Sequence, residues 1–142
     1  MKDILSLKTE KEIAGYVGRN IGELIPGIEV IKSHVEKKAG KFVIDLLLDV
    51  RMAGTRKKLV CEIKSVGEPR YLFQAVAQLK HVNAAVENSY PVVIAPVISE
   101  RGQAICKEGG VGYLDLTGNV FLKFDGVYIE KTVQERPKKR KD

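Results

Sequence analysis

The chain has no tryptophan, only two cysteines and no long apolar run. Aromatic residues make up 6% of its 142 residues, which argues against a surface that binds single strands by stacking on bases. The two cysteines are far apart and there is no CxxC pair, so we expect no zinc site. No segment approaches the ~20 apolar residues of a membrane span, and the first residues lack a signal-peptide pattern. We therefore expect a cytoplasmic protein without membrane association.

Positive charge is concentrated at the C-terminus. The formal net charge is +6, and the last seven residues, RPKKRKD, carry five positive charges and one negative charge, which is +4 of that total. The rest of the chain is only mildly basic, so its charge alone does not predict nucleic-acid binding. We divide the chain into one domain, residues 1–133, and a basic tail, residues 134–142, that we predict to be flexible. The tail is either a solubilising end or a phosphate-binding run.

Hydrophobic periodicity predicts one helix, three strands, a second helix and a fourth strand, followed by a third helix and three short strands. The predicted helices are residues 9–27, 70–88 and 99–110, and the predicted strands are residues 28–38, 41–52, 57–65, 90–98, 111–116, 119–124 and 126–131. Short turns between the first three strands predict an antiparallel meander. The fold class is therefore α/β (α+β), with a mixed central sheet flanked by helices.

Two acids and one lysine are expected to meet on the second and third strands. If residues 53–56 form the turn between them, Asp45 lies opposite Lys64 and diagonal to Glu62 on the same face. Lys64 can neutralise only one carboxylate, and the remaining charge suits a hard cation such as Mg²⁺ or Mn²⁺. The alternative is an ion pair between Asp45 and Lys64, with Glu62 in solvent at the strand end.

A metal at this position would have a defined chemistry. Asp45, Glu62 and the backbone carbonyl of Ile63 would hold the ion, which would polarise a phosphate and activate water. Lys64 would orient that water or stabilise the charge that develops in the transition state. A second Glu-x-Lys triplet, at residues 36–38, has no acid in a preceding strand, and we interpret it as a solvated strand end.

Two polar runs outside this cluster have open interpretations. The cations near the hairpin tip would either grip DNA phosphates without reading sequence or form a solvated turn; they are Arg51, Arg56, Lys57 and Lys58. The run DLTGN, residues 115–119, would either contact nucleic acid or form a plain turn between strands.

The segments FVIDLLLDV, KKLVCEIKS and FQAVAQL resemble the PD-(D/E)XK nuclease superfamily. In that pattern an aspartate on the second core strand precedes Glu-x-Lys on the third, and Asp45, Glu62 and Lys64 match these positions. Ile44 stands where the pattern has a proline. The resemblance covers residues 8–98 and implies a restriction endonuclease-like αβββαβ core.

The resemblance also implies two further site residues. Some exonuclease-type members carry a Gln-Leu pair on the following helix, which Gln78 and Leu79 match, and the helical wheel sets Gln78 at the border of the apolar stripe. An ordinary helix-surface amide is the alternative. The first helix of many members supplies an acid, for which Glu10 on the inner stripe is the candidate. Its alternative role is a favourable charge at a helix N-terminus.

The function that the resemblance implies is a metal-dependent DNA endonuclease of a restriction, repair or junction-resolving type. DNA is the expected partner, and homodimers are expected because small members of the superfamily often pair. The alternatives are an inactive nuclease-fold module that binds DNA or regulates, and an interaction domain of a toxin–antitoxin or defence system. The retained acids favour the enzyme, because a binding module gains nothing from negative charge beside phosphates.

Overall fold

The computed structural model describes Leu7 and residues 9–133, so the predicted basic tail lies outside the described residues. The elements in this part are α1 (Glu10–Leu24), β1 (Glu29–Ala39), β2 (Phe42–Met52), β3 (Thr55–Ile63), α2 (Pro69–Ala84), β4 (Ser89–Ala95), α3 (Glu100–Glu108), β5 (Gly112–Asp115), β6 (Val120–Phe124) and β7 (Val127–Lys131). The predicted order of helices and strands is confirmed. No helix in the described ranges is both long and apolar enough to cross a membrane.

All these strands form one sheet, in the order β1-β2-β3-β4-β5-β6-β7. β1, β2 and β3 pair antiparallel, as the short turns predicted. β4 and β5 each run parallel to the preceding strand, because α2 and α3 carry the chain back across the sheet. β6 and β7 return to antiparallel pairing. The predicted mixed sheet flanked by helices is therefore confirmed.

One apolar cluster lies on each face of the sheet. α1 covers the first cluster with Ile13, Ala14, Val17 and Ile21, the stripe that follows its capping box at Thr9. α2 and α3 cover the second cluster with Leu72, Ala75, Val76, Leu79, Val82, Ile105 and Cys106. The middle strands contribute alternate residues to both clusters. These middle strands are buried on both faces, which explains why the sequence of β4 is a continuous apolar run.

The hairpin between β2 and β3 is tighter than predicted. Its loop contains only Ala53 and Gly54, with φ angles of +49° and +77°, as in a type I′ turn. Met52 therefore pairs directly with Thr55, and the predicted turn of residues 53–56 was wrong. A two-residue turn of this type is favoured because its twist matches that of the flanking strands.

The tighter turn shifts the pairing of the two strands by two residues. Leu46 pairs with Cys61, and one step further along this register Asp45 stands opposite Glu62. The predicted position of Asp45, opposite Lys64, was therefore wrong. A shift of two residues keeps every side chain on its face, because side chains alternate with a period of two. The two acids and the lysine consequently remain neighbours.

A buried carboxylate holds the turn between β5 and β6. Asp115 is fully buried, and its Oδ1 accepts hydrogen bonds from the backbone amides of Thr117, Gly118 and Asn119 and from the Thr117 hydroxyl. Its Oδ2 accepts from the Ile98 amide at 3.0 Å and from the Asn119 side chain at 2.7 Å. The run at residues 115–119 is thus a turn with a structural carboxylate, which also ties it to the segment after β4.

Replacing Asp115 should destabilise the fold strongly. Asp115→Ala would leave several buried donors without an acceptor, so we expect the free energy of unfolding to fall by about 3–5 kcal/mol. Thr117→Ala removes one donor and leaves the carboxylate, so it should cost about 1 kcal/mol or less. Urea unfolding followed by circular dichroism measures both. An Asp115→Ala protein within about 1 kcal/mol of the wild type would contradict this role.

Candidate active site

β1 and β2 are both irregular at the position of Asp45. Leu46 packs in the cluster under α1, whereas Ile44 packs in the cluster under α2 and α3. Residues two apart in a regular strand point to the same face, so β2 turns over at Asp45. Glu36 stands opposite Asp45 according to the pairs on either side of it, and its φ of +53° is left-handed. Both strands therefore depart from regular geometry at the same step.

The side chain of Asp45 replaces a backbone acceptor at this irregularity. The pairing of β2 with β3 ends at Leu46 and Cys61, and beyond it Oδ2 of Asp45 accepts a hydrogen bond from the Ile63 amide at 2.8 Å. In a continued ladder that amide would face the backbone of Ile44. The bond fixes the half-buried Asp45 carboxylate between the two strands. A metal-ligand role for the Ile63 carbonyl stays a prediction.

Glu62 and Lys64 occupy the end of β3 beside Asp45. Glu62 is only 7% exposed, and the Nζ atom of Lys64 lies 3.5 Å from its Oε2. The amide of Lys64 continues the pairing with β4 by donating to the Ile94 carbonyl. The alternative interpretation, an Asp45–Lys64 ion pair with Glu62 in solvent, was wrong, because Glu62 is buried and is itself the partner of the lysine.

Burial makes both carboxyl groups more difficult to ionise. Burial raises the pKa of Glu62 to about 7, and the negative charge of Asp45 adds to this increase, while Lys64 opposes it. Burial also raises the pKa of Asp45, against the opposing effects of the Ile63 amide and Lys64. Perturbed carboxyl groups next to a specific charge partner are a common property of functional sites.

A cavity of about 210 Å³ opens beside Asp45 between α1 and β1. Glu10 lines it from the first residue of α1, with Lys11 next to it. Burial is the main cause of the raised pKa of Glu62, and Glu10 contributes a further increase through its charge. Glu10 is exposed rather than on the inner stripe where it was predicted, but it does lie beside the acids.

Glu36 is a neighbour of the site that sequence reasoning missed. It was interpreted as part of a solvated strand end; it is exposed, but it lines the same cavity as Asp45 and adds to the increase in the Asp45 pKa that burial causes. The signal for its position was the Gly40 turn. A two-residue loop there, as observed between Ala39 and Phe42, sets Glu36 opposite Asp45.

Gln78 lies on α2, where it is exposed next to the buried Leu79. Its amide forms no hydrogen bond to any other residue that the structure describes. Its predicted support of the acids therefore stays a prediction.

Most of the hairpin-tip cations are engaged with carboxylates. Arg56 makes a bidentate pair with Asp49, at 3.1 and 2.9 Å, and Arg51 lies 3.3 Å from Glu29. Lys57 contacts Asp125 at 2.7 Å, and its side chain is only 11% exposed. Lys58 is the exception, with no carboxylate within 4.0 Å among the described residues. The predicted phosphate contacts of these four residues stay predictions, and three of them already have partners.

The acids and the lysine fit a hard divalent cation. Within residues 9–133, no group of three or more His, Cys, Asp and Glu side chains is arranged to hold a metal by itself. Mg²⁺ commonly binds through one or two carboxylates and keeps several waters, and Asp45 and Glu62 supply two. The single ammonium group of Lys64 leaves one negative charge unbalanced. The residues present therefore fit Mg²⁺ or Mn²⁺, and water and substrate would have to supply the remaining ligands.

The fold is similar to those of a solved repair endonuclease and of EndoMS. A repair endonuclease from Pyrococcus abyssi matches with a TM-score of 0.57 and 19% identity over 82% of this chain and 49% of that one. EndoMS in complex with double-stranded DNA matches with a TM-score of 0.54 and 16% identity over 82% of this chain and 48% of that one. The chain thus spans about half the length of these proteins. At such low identities the similarity establishes the fold alone.

No protein-family model and no curated protein sequence matches the chain.

Because the pKa of Glu62 is raised, we predict that removing its charge increases the stability of the fold, and that this increase depends on pH. Between its ordinary pKa of 4.5 and about 7, the folded protein holds a proton that the unfolded chain has lost, so this group makes stability fall as pH rises through that window. In buffer that contains a metal chelator, Glu62→Gln should therefore raise the free energy of unfolding by about 1–2 kcal/mol at about pH 8. The gain should disappear below about pH 4.5.

Urea titrations at several pH values measure this difference. Glu23→Gln, a change of an exposed residue on α1, is the matched control and should leave the pH profile of the wild type unchanged. A Glu62→Gln effect that is the same at both ends of the pH range would contradict the buried, partly protonated carboxyl group.

Proposed function

We propose that this chain is a metal-dependent DNA endonuclease domain of the PD-(D/E)XK type. Asp45 and Glu62 would hold Mg²⁺ or Mn²⁺, Lys64 would act on the attacking water, and Gln78, Glu10 and the Ile63 carbonyl would support the site. The observation that carries the proposal is the meeting of a half-buried and a buried carboxyl group with one lysine at an irregular step in the sheet. The fold similarity to repair endonucleases supports it.

The arrangement gives each side chain a definite task. The Ile63 amide fixes the direction of the Asp45 carboxylate, so this ligand needs no reorganisation when the substrate arrives. Glu62 must lose its proton to act as a ligand, and Lys64 stabilises the ionised form from 3.5 Å. A bound divalent ion would supply Lewis-acid polarisation of the scissile phosphodiester and a more acidic water. Lys64 would orient the nucleophile and stabilise negative charge that develops on the phosphate.

An inactive nuclease-fold module that binds DNA or regulates is the main alternative. Such a module has no use for two neighbouring acids beside a polyanion, since their charges repel phosphates unless a cation binds between them. A homodimer, which would provide one site for each strand of a duplex, belongs to the proposal as well. Because the chain spans about half the length of the similar structures, the substrate preference of the whole protein is also part of this proposal.

Substitution of the proposed site residues should abolish cleavage and spare folding. We expect the wild type to cut at least one of plasmid, branched and single-stranded DNA with Mg²⁺ or Mn²⁺. Asp45→Asn and Lys64→Ala should each lower the rate by roughly 100-fold or more, because each removes charge that the reaction needs. Gel assays under single-turnover conditions measure the rates.

Lys80→Ala is the matched control, because Lys80 is exposed on α2 outside the acid–lysine cluster. It should cut like the wild type. Equal cleavage by the wild type, Asp45→Asn and Lys64→Ala would show that the assigned roles are wrong. A wild type that binds DNA and cuts none of the three substrates would favour the inactive module.

Metal binding should depend on pH through Glu62. Its pKa of about 7 means that roughly a tenth of the protein carries an ionised Glu62 one unit lower, so Mn²⁺ affinity should be about tenfold weaker at about pH 6 than at about pH 8. Isothermal calorimetry with Mn²⁺ measures both affinities, with Glu23→Gln as the control. Binding that is unchanged in Asp45→Asn would contradict the proposed ligand set.

A further inference from the structure

Positive charge also gathers on one face of the antiparallel strands β1, β2 and β3. A shallow depression of about 220 Å³ lies on this face. We define the basic face as Lys32, Lys37 and Lys58 around that depression. His34, Leu47 and Asp49 complete the lining. None of these six residues is Phe, Tyr or Trp, so the face offers charge and a small apolar floor rather than a platform for stacked bases.

The lysines of the basic face have no acidic partner among the described residues. None of the three lies within 4.0 Å of a carboxylate there, although Lys32 and Lys58 both act on the charge of Asp49. Asp49 is the one acid in the lining, and Arg56 holds both of its oxygens. Its pKa is lowered chiefly by that hydrogen-bonded arginine, so it stays an ionised, occupied anion. The three lysines and Arg56 together oppose one carboxylate, so the face is strongly positive.

The pairing of the strands fixes the layout of these charges. Lys32 pairs with Asp49, and Asp49 pairs with Lys58, so the two lysines stand two strands apart, at roughly 10 Å. Lys37 lies five residues further along β1, at roughly 17 Å. It pairs with Ile44, the residue before Asp45. Lys37 is therefore at the end of the basic face that is nearer to Asp45 along the strands, and Lys32 and Lys58 lie toward the hairpin tip.

The hairpin tip itself is a poorer place for phosphates. To bind a phosphate, each of the three cations there would first have to release its carboxylate partner; they are Arg51, Arg56 and Lys57. Lys57 is also mostly covered. The lysines of the basic face need no such exchange, because their ammonium groups are exposed. Cations without partners bind a polyanion at a smaller free-energy penalty than paired ones.

We propose that the basic face binds the sugar–phosphate backbone of duplex DNA and directs one strand from Lys32 and Lys58 past Lys37 to Asp45 and Glu62. The contacts are lysine point charges with phosphates, so they position the duplex without reading its sequence. The choice of DNA as the polyanion rests on the proposed function. Binding through this face requires neither metal nor cleavage, so the two proposals can fail separately.

The test removes the three charges from the full chain. In EDTA, fluorescence anisotropy with a labelled duplex of about 25 base pairs gives Kd over a series of KCl concentrations. The triple variant Lys32→Gln, Lys37→Gln and Lys58→Gln should bind at least about tenfold more weakly near 100 mM KCl. The slope of log K against log salt is negative, and it should become less steep by about 2.7, since each lost phosphate contact contributes about 0.9 to its magnitude.

The control is a triple variant with the same change of charge elsewhere. This variant carries Lys80→Gln, Lys123→Gln and Lys131→Gln, at exposed positions on α2, β6 and β7. Its affinity and its salt slope should stay close to those of the wild type. Equal losses in both triple variants, or no loss in the first, would overturn the proposal. Thermal unfolding confirms that both variants fold. Asp45→Asn should bind DNA at least as tightly as the wild type, even if no protein cuts it.

Discussion

The central constraint on this molecule is the placement of two carboxyl groups and one ammonium group at the border of an apolar sheet. Buried like charges repel each other, and Lys64 can offset only one of them. The protein accommodates the pair by protonation, with the pKa of Glu62 raised to about 7. It also uses the Ile63 amide, which neutralises no charge but satisfies the Asp45 oxygen. A cation between the two carboxylates would remove the remaining imbalance.

The sequence predicted the elements well because their signals are local. The capping box at Thr9, the apolar periodicity of α1 and α2, and the continuous apolar run of β4 each arise within a few residues. The pairing of Asp45 could not be predicted in the same way. It depends on whether Thr55 and Arg56 belong to the turn or to β3, and either choice satisfies the hydrophobic pattern because both leave side chains on the same face.

The neighbourhood of the site depends on non-local geometry for the same reason. Glu36 lines the cavity beside Asp45 at a point where both strands are irregular. Glu36 has a left-handed φ angle, and the alternation of side chains along β2 is interrupted at Asp45. Nothing in a Glu-Lys-Lys triplet signals such a backbone. The hairpin-tip cations show the converse case: a cluster of basic residues in the sequence is dispersed in the fold, where Arg51, Arg56 and Lys57 each find a different acid.

β1 has a consequence for the colloidal behaviour of the protein. It is an outermost strand of eleven residues, and a long regular border strand is a template on which another molecule can add its own strand. β1 is a poor template, because its pairing with β2 shifts register near Ile31 and Glu36 has a left-handed backbone conformation. Its lysines also repel an identical border. The same irregularity that shapes the acidic cavity thus also makes this border of the sheet a poor site for strand addition.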